Sequence, residues 1–316
     1  MRILAFLIIV LLFSSCGPET RPDLRDKDTT VKVPSRAPAF NADSAYGFVE
    51  KQVAFGPRVP LTIPHDKCAA WLQEQLKKYC PDVALLSGTV VGYDGKTIRL
   101  KNIIASFEPK LKKRILLCAH WDTRPIADRD TKDKEKPIDG ANDGGSGVGV
   151  LLEIARLLKE KPLKNAGIDI LLFDMEDYGT NYCQGSGYWA KNLHQPGYFA
   201  NYGILLDMVG AKGAVFPVEG VSMEYAAATV HKVWEKANSL GYGNIFLWNE
   251  MQPITDDHVA INEIAGIPCI DIIQMDPNTG DFMPEHHRHG DNMSIIDKGT
   301  LKAVGQTVLE VIYSED

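Results

Sequence analysis

The chain has 316 residues, with 34 Lys+Arg against 41 Asp+Glu and a formal charge of −7. Apolar residues make up 45% and charged residues 24%, the balance of a soluble globular protein. That balance excludes low-complexity disorder, a collagen-like fibre and a disulfide-dense miniprotein, and the acidic excess argues against a nucleic-acid binder, which needs a basic face.

Arg2 precedes an apolar run over residues 3–13. The run is too short to span a bilayer, which needs about 20 residues. A basic start, a short apolar core and small residues read as a secretory signal. The ending Phe13-Ser14-Ser15-Cys16 resembles a bacterial lipobox, in which the Cys is lipidated. Residues 17–38 hold four prolines and many charges, so they cannot bury a core and read as a tether. The expected organisation is a signal peptide over 1–15, a lipidated Cys16 with a flexible tether over 16–40, and a catalytic domain over 41–316. The protein is thus expected to be an exported lipoprotein of the bacterial cell envelope, facing the periplasm and touching membrane only through its N-terminal anchor. Without Cys16 an odd number of cysteines remains, and the helix-like stretch between Cys68 and Cys80 would hold them about 18 Å apart. Buried free thiols are the expectation.

Along the domain, residues 66–79 read as a helix, with Cys68, Leu72 and Leu76 recurring every four residues. Segments 102–107 and 114–119 read as strands, and 147–159 as a helix with Val148, Leu151, Leu152, Ala155 and Leu158 on one face. Apolar strands follow at 167–174, 203–208 and 267–273, with helices at 223–239 and 298–313. Near-continuous apolar strands alternating with amphipathic helices indicate an α/β fold with a mixed sheet covered on both faces. In such sheets ligands sit beyond the carboxyl ends of the strands.

Polar residues fall where that rule places them. His120 and Asp122 follow one strand, Glu176 and Asp177 a second, and Asp207 ends a third. Asp143 lies in the Gly-rich turn Gly140-Ala141-Asn142-Asp143-Gly144-Gly145-Ser146-Gly147 before a helix. This turn lacks the Lys-Ser/Thr ending of a phosphate loop, which leaves a helix cap or a ligand site. Asp256, Asp257 and His258 precede a helix-like segment, and His286-His287-Arg288-His289 is either a surface cluster or a metal tract. Zinc takes imidazole nitrogen and carboxylate oxygen, and a catalytic site keeps three protein ligands and one open position. His, Asp and Glu are therefore the right inventory. Adjacent acids such as Glu176-Asp177 point in different directions, so one can hold metal while the other shuttles protons.

His120-Trp121-Asp122, the 140–147 turn, Glu176-Asp177, Leu206-Asp207-Met208-Val209-Gly210 and His287 with Asp291-Asn292 resemble the zinc-dependent aminopeptidases of metallopeptidase family 28. Within that group the chain is more similar to the glutaminyl-peptide cyclotransferases. The resemblance spans roughly residues 43–313 and implies a single-domain three-layer αβα sandwich around a mixed, mostly parallel twisted sheet. It implies one zinc ion held by Asp143, Asp177 and His287, with Glu176 as general acid/base. Asp207 stands where two-zinc aminopeptidases bind a second ion; in the cyclases it joins an acidic network to which Asp256 is added. His120 is then a relict of a second metal site. The implied reaction converts N-terminal Gln of peptides or proteins to pyroglutamate with release of ammonia. The alternative is a two-zinc aminopeptidase using His120, Asp143, Asp177, Asp207 and His287. A binding protein on a degenerate scaffold is disfavoured, because no expected ligand or base is missing.

Two positions depart from the family pattern. Asp177 stands where Glu is commoner, and His286 where animal cyclases carry Trp. The aromatic wall of the pocket is therefore expected from Trp121, Trp189 or Trp248, which lie near the motifs. The charge run 128–136 reads as a solvated loop beside the site rim. Ser186 is not a supported nucleophile, His65, His194 and His231 read as ordinary, and His258 as a residue that orients its neighbours.

Overall fold

The structure is a computed structural model and describes residues 37–316. The expected signal peptide, Cys16 and most of the tether lie outside the described residues. The chain order is α1 (Ala42–Val53), α2 (Ile63–Tyr79), β1 (Val83–Val91), β2 (Thr97–Phe107), β3 (Arg114–His120), α3 (Gly145–Glu160), β4 (Gly167–Phe173), α4 (Gln184–Lys191) and β5 (Tyr202–Asp207). It continues with β6 (Phe216–Val218), α5 (Gly220–Ser239), β7 (Phe246–Glu250), α6 (Asp257–Glu263), β8 (Cys269–Ile273) and α7 (Lys298–Ser314).

Six strands form one mixed sheet in the order β1-β2-β4-β3-β5-β8. The hairpin β1–β2 is antiparallel and joins β4 antiparallel, while β4, β3, β5 and β8 run parallel. The parallel strands are apolar on both faces because both are covered. Ile115, Leu117 and Ala119 of β3 point into a large core with α1, α2, α3, α5 and α7. Leu116 and Cys118 point the other way, into a second core with Trp189 of α4 and Ile261 of α6. The period-2 alternation of the strand thus divides its side chains between two layers of helices. The result is the expected three-layer arrangement.

Local signals explain most element starts. Asn41 caps α1 through Asp43 and Ser44 amides, and Thr62 caps α2, which therefore begins three residues before the 66–79 helix read from periodicity. Helix α3 begins at Gly145 rather than 147, because Gly144 at φ 79° makes the turn that launches it. A Cβ at Gly147 would stand 2.1 Å from the Leu206 carbonyl oxygen, so glycine lets α3 lie directly on β5. Cys68, Cys80, Cys118, Cys183 and Cys269 are free, as expected.

One charge lies deep in the second layer. Asp169 of β4 is 1% exposed and receives Arg114 through Nε and Nη2 at 2.8 and 2.5 Å. It also accepts the Ser106 and Tyr198 hydroxyls. Asp169→Ala would leave the Arg114 guanidinium buried without its partner, and is expected to cost about 3–5 kcal/mol of stability in denaturant unfolding.

Candidate active site

The polar motifs converge at the carboxyl ends of β3, β4 and β5. Strand β3 ends on His120, β5 ends on Asp207, and β4 is followed by Asp174-Met175-Glu176-Asp177. The chain turns sharply at each place. Met175, Met208 and His287 adopt left-handed φ of 61°, 48° and 57°, conformations that non-glycine residues hold only when their surroundings enforce them.

At Met175 a carboxylate beside the turn supplies that enforcement. Asp122 accepts the backbone N–H of Glu176 at 3.0 Å with one oxygen and that of Asp177 at 3.2 Å with the other. Asp291 grips the next turn in the same way, accepting from Asn142 at 2.7 Å and Asp143 at 3.1 Å. Asp174 steadies the base of the first turn by accepting the Lys101 and Met175 amides and facing His65 Nε2 at 2.8 Å. His65 is buried and stacks on Trp121 with ring centroids 4.4 Å apart.

The candidate ligands meet around His287. Its Nε2 lies 3.4 Å from Asp177 Oδ1 and 3.8 Å from Asp143 Oδ2. Ligands 2.0–2.1 Å from a tetrahedral zinc stand about 3.3 Å from one another, near the separation of His287 from each acid; among the described residues the set around His287 whose ligand atoms all lie within 4.8 Å of one another is Asp143, His286 and His287. Asp177 Oδ2 is buried with no hydrogen-bond partner, although burying a bare carboxylate oxygen is costly. Burial pushes His287 down to about 3 and His286 down to about 4, so both imidazoles are neutral at neutral pH, as ligation requires. This donor set fits a zinc ion. Asp143 makes no capping bond to α3, and its Oδ2 faces His287.

Arg124 has no counterpart among the residues singled out from sequence. It is 2% exposed, donates to Asp177 Oδ1 at 2.6 Å and pairs twice with Asp128 at 2.7 and 2.8 Å. Asp128 Oδ1 lies 3.6 Å from His287 Nδ1, the side that would leave Nε2 for a metal. The first residue of the 128–136 charge run is therefore part of the site, not only of a solvated loop. The signal for Arg124 was available: an arginine two residues beyond Asp122 and four before Asp128.

Asp143 also faces His120 Nε2, at 3.0 Å from Oδ1, and Asp207 Oδ1 stands 3.2 Å from the same nitrogen. Burial disfavours the imidazolium of His120, but the hydrogen bonds it donates to Asp122, Asp143 and Asp207 outweigh that and hold its pKa well above the ordinary value. Burial likewise opposes ionisation of Asp143, yet the His120 contact brings its pKa below the usual carboxylate range.

Glu176, Asp207 and Asp256 line one cavity of about 560 Å³, together with Asp143 and His287. That volume is in the range of small-ligand sites. Burial raises all three carboxyls, and the charge of neighbouring acids adds to it. Asp256 is pushed up to about 6, and Glu176 well above its ordinary value. Behind them Asp257 and Asp271 are fully buried, with no hydrogen-bond partner on any carboxyl oxygen. Asp271 was not singled out from sequence, because an Asp inside an apolar strand carries no local signal.

The pocket wall differs from expectation. Trp121 and Trp189 are fully buried core residues; Trp121 donates to the Lys101 carbonyl and Trp189 to His194. Trp248 is exposed on β7 beside His231. None of the three lines the cavity, because proximity to a motif in sequence does not fix which face of a strand or helix a ring takes. The wall is Tyr182, Phe282 and His286, with Met208, Ile254 and Ile273. His286 lies against Phe282 and His287 in tilted ring contacts, with centroids 4.2 and 3.6 Å apart, so it fills the aromatic position itself. His258 faces Glu219 at 2.9 Å in a buried pair and does not line the cavity.

The covered sheet and its buried cluster of imidazole and carboxylate donors define a metal-dependent α/β enzyme with its site beyond the parallel strand ends. Residues 102–312 match peptidase family M28, and the chain belongs to that family. Aminopeptidase YwaD of Bacillus subtilis is 29% identical over 221 residues, covering 67% of this chain and 44% of that protein. The glutaminyl-peptide cyclotransferase of Bothrops jararaca is 24% identical over 253 residues, covering 68% and 65% respectively. The chain thus spans less than two thirds of either curated relative. The crystal structure of Bacteroides thetaiotaomicron glutaminyl cyclase bound to N-acetylhistamine is similar at TM-score 0.86 and 50% identity, covering 89% of this chain and all of that one.

Asp291→Asn replaces one of the two oxygens that hold the Asp143 turn with a donor. Zinc affinity, read by competition with a chromophoric chelator, is expected to fall about 10–100-fold.

Proposed function

We propose that the chain is a glutaminyl-peptide cyclotransferase that converts N-terminal Gln of peptides or proteins to pyroglutamate and releases ammonia. The observation that carries this reading is the placement of Asp256 in the same cavity as Glu176 and Asp207, beside the candidate zinc ligands. Three acids so close and so buried do not all ionise, so they hold protons between them. A carboxyl that keeps its proton donates a hydrogen bond to a substrate amide, whereas a second metal ion would require it bare. The half-identical glutaminyl cyclase structure supports the same reading.

Zinc held by Asp143, Asp177 and His287 would supply Lewis-acid polarisation of the Gln side-chain carbonyl. Glu176 accepts a proton as the α-amine attacks the amide carbon, and returns it to the nitrogen that leaves as ammonia. Asp207 and Asp256 hold amine and amide in line, which makes the attack intramolecular and positioned. Tyr182, Phe282, Met208, Ile254 and Ile273 offer an apolar surface to the peptide. No water enters the reaction as nucleophile.

One observation favours a second reading. His120, Asp143 and Asp207 offer ligand atoms within 4.8 Å of one another, which would suit a second ion and a two-zinc aminopeptidase. The placement of Asp256 in the same cavity as Glu176 and Asp207 supports the single-zinc reading instead.

Incubating metal-replete protein with a Gln-initiated dipeptide is expected to yield pyroglutamyl dipeptide and ammonia, with one zinc per chain. Free amino acids and two zinc ions per chain would instead establish the peptidase. Glu176→Gln is expected to lower kcat about 10²–10⁴-fold.

We also propose export with lipid anchoring at Cys16 in the cell envelope, facing the periplasm, on the strength of the 1–16 segment. Labelled fatty acid supplied to expressing bacteria is expected to enter the wild-type chain. Equal labelling of Cys16→Ala would refute the anchor.

A further inference from the structure

The thiol of Cys183 lies on the carboxylate of Glu176. Its Sγ is 3.3 Å from Glu176 Oε1, and its backbone N–H donates to the Glu176 carbonyl oxygen at 2.9 Å. Cys183 takes a left-handed φ of 57° at the start of α4, which turns the 176–183 loop back on itself. Glu176, Cys183 and Asp256 offer one oxygen, one sulfur and one oxygen within 4.8 Å of one another. Asp256 is 4% exposed, and its Oδ2 has no hydrogen-bond partner.

We propose that Glu176, Cys183 and Asp256 form a second, inhibitory site for a borderline or soft divalent cation such as zinc or cadmium, distinct from the Asp143–Asp177–His287 set. The chemistry is that of a mixed thiolate–carboxylate site. Sulfur at about 2.3 Å and oxygen at about 2.1 Å from a tetrahedral metal stand about 3.6 Å apart, close to the observed sulfur–oxygen separation. Three protein ligands leave a fourth position, and Glu176 and Asp256 both border the cavity from which water or a substrate group reaches it. Hard cations such as magnesium do not take thiolate, so the site selects against them. Burial and the surrounding acids hold the thiol protonated until a cation arrives. Binding releases that proton, and any proton the two carboxyls share, to solvent and puts one sulfur and two oxygens on a single ion.

The consequence rests on the cyclotransferase reading of Glu176. A cation here would take both the proton shuttle and Asp256, so surplus metal would stop turnover while the catalytic zinc stays bound. Enzyme that is zinc-loaded at Asp143, Asp177 and His287 would then be switched off by the same element that activates it.

Cadmium titration of the zinc-loaded protein tests binding without reference to activity. The wild type is expected to develop the ultraviolet charge-transfer absorption of one cadmium–thiolate bond per chain. Cys183→Ala should show none of it, and Asp256→Asn should need at least tenfold more cadmium to reach it. With a Gln-initiated peptide, added zinc should inhibit the wild type at a concentration at least tenfold lower than for Cys183→Ala, each measured against its own uninhibited rate. No band in the wild type, a band that persists in Cys183→Ala, or equal inhibition of both would overturn the site. Absence of any turnover with an intact cadmium band would count against the cyclotransferase reading and leave the metal site standing.

Discussion

Concentrated negative charge is the constraint from which the site follows. Asp143, Glu176, Asp177, Asp207, Asp256, Asp257 and Asp271 are each under a tenth exposed, and they crowd the ends of four parallel strands. Isolated buried carboxylates are too costly to keep ionised. The protein meets this cost in two ways, paired cations at His120 and Arg124 and protons retained on the acids around Asp256, and in the proposed reading in a third, a divalent cation held by Asp143, Asp177 and His287. Each way has a different chemical use. A fixed guanidinium orients, a retained proton is available for transfer, and a metal ion polarises.

The backbone is arranged to make this crowding possible. Asp122 and Asp291 do not face the cavity, yet each holds two successive amides of a turn that carries reactive carboxylates. Such contacts fix the left-handed Met175 and the Gly144 turn against the electrostatic pressure to open. Rigid placement matters because chemistry between positioned groups tolerates little misalignment.

Much of this was legible in sequence. The apolar runs of β3, β4, β5 and β8 announced a mixed sheet covered on both faces, and the acids that follow three of these strands marked its carboxyl edge. The edge strand β1 was not legible, since most of its residues are partly exposed and show no clean alternation. Helix α1 was missed because only Ala45, Val49 and Gln52 are buried in it, too sparse a stripe to stand out. Arg124 and Cys183 act through partners 53 and 7 positions away in the chain, Asp177 and Glu176 respectively. Periodicity carries no information about such pairings. The tryptophans misled for the complementary reason: a large ring near a motif is most often core, and here the wall came from Tyr182, Phe282 and His286.

That wall and the donors beneath it come from different kinds of structure. Asp207 ends a strand, and Glu176 and Asp177 follow the end of another within four residues, where the sheet itself sets their position. Tyr182, Phe282 and His286 stand on connecting segments outside any helix or strand. Side chains on these segments can therefore be exchanged while the strand ends keep Glu176, Asp177 and Asp207 in place, but the segment that carries Phe282 and His286 also carries His287, so its length is held by that candidate donor. Substrate preference and reaction type become separately heritable traits, which suits a scaffold that serves both peptidases and cyclases.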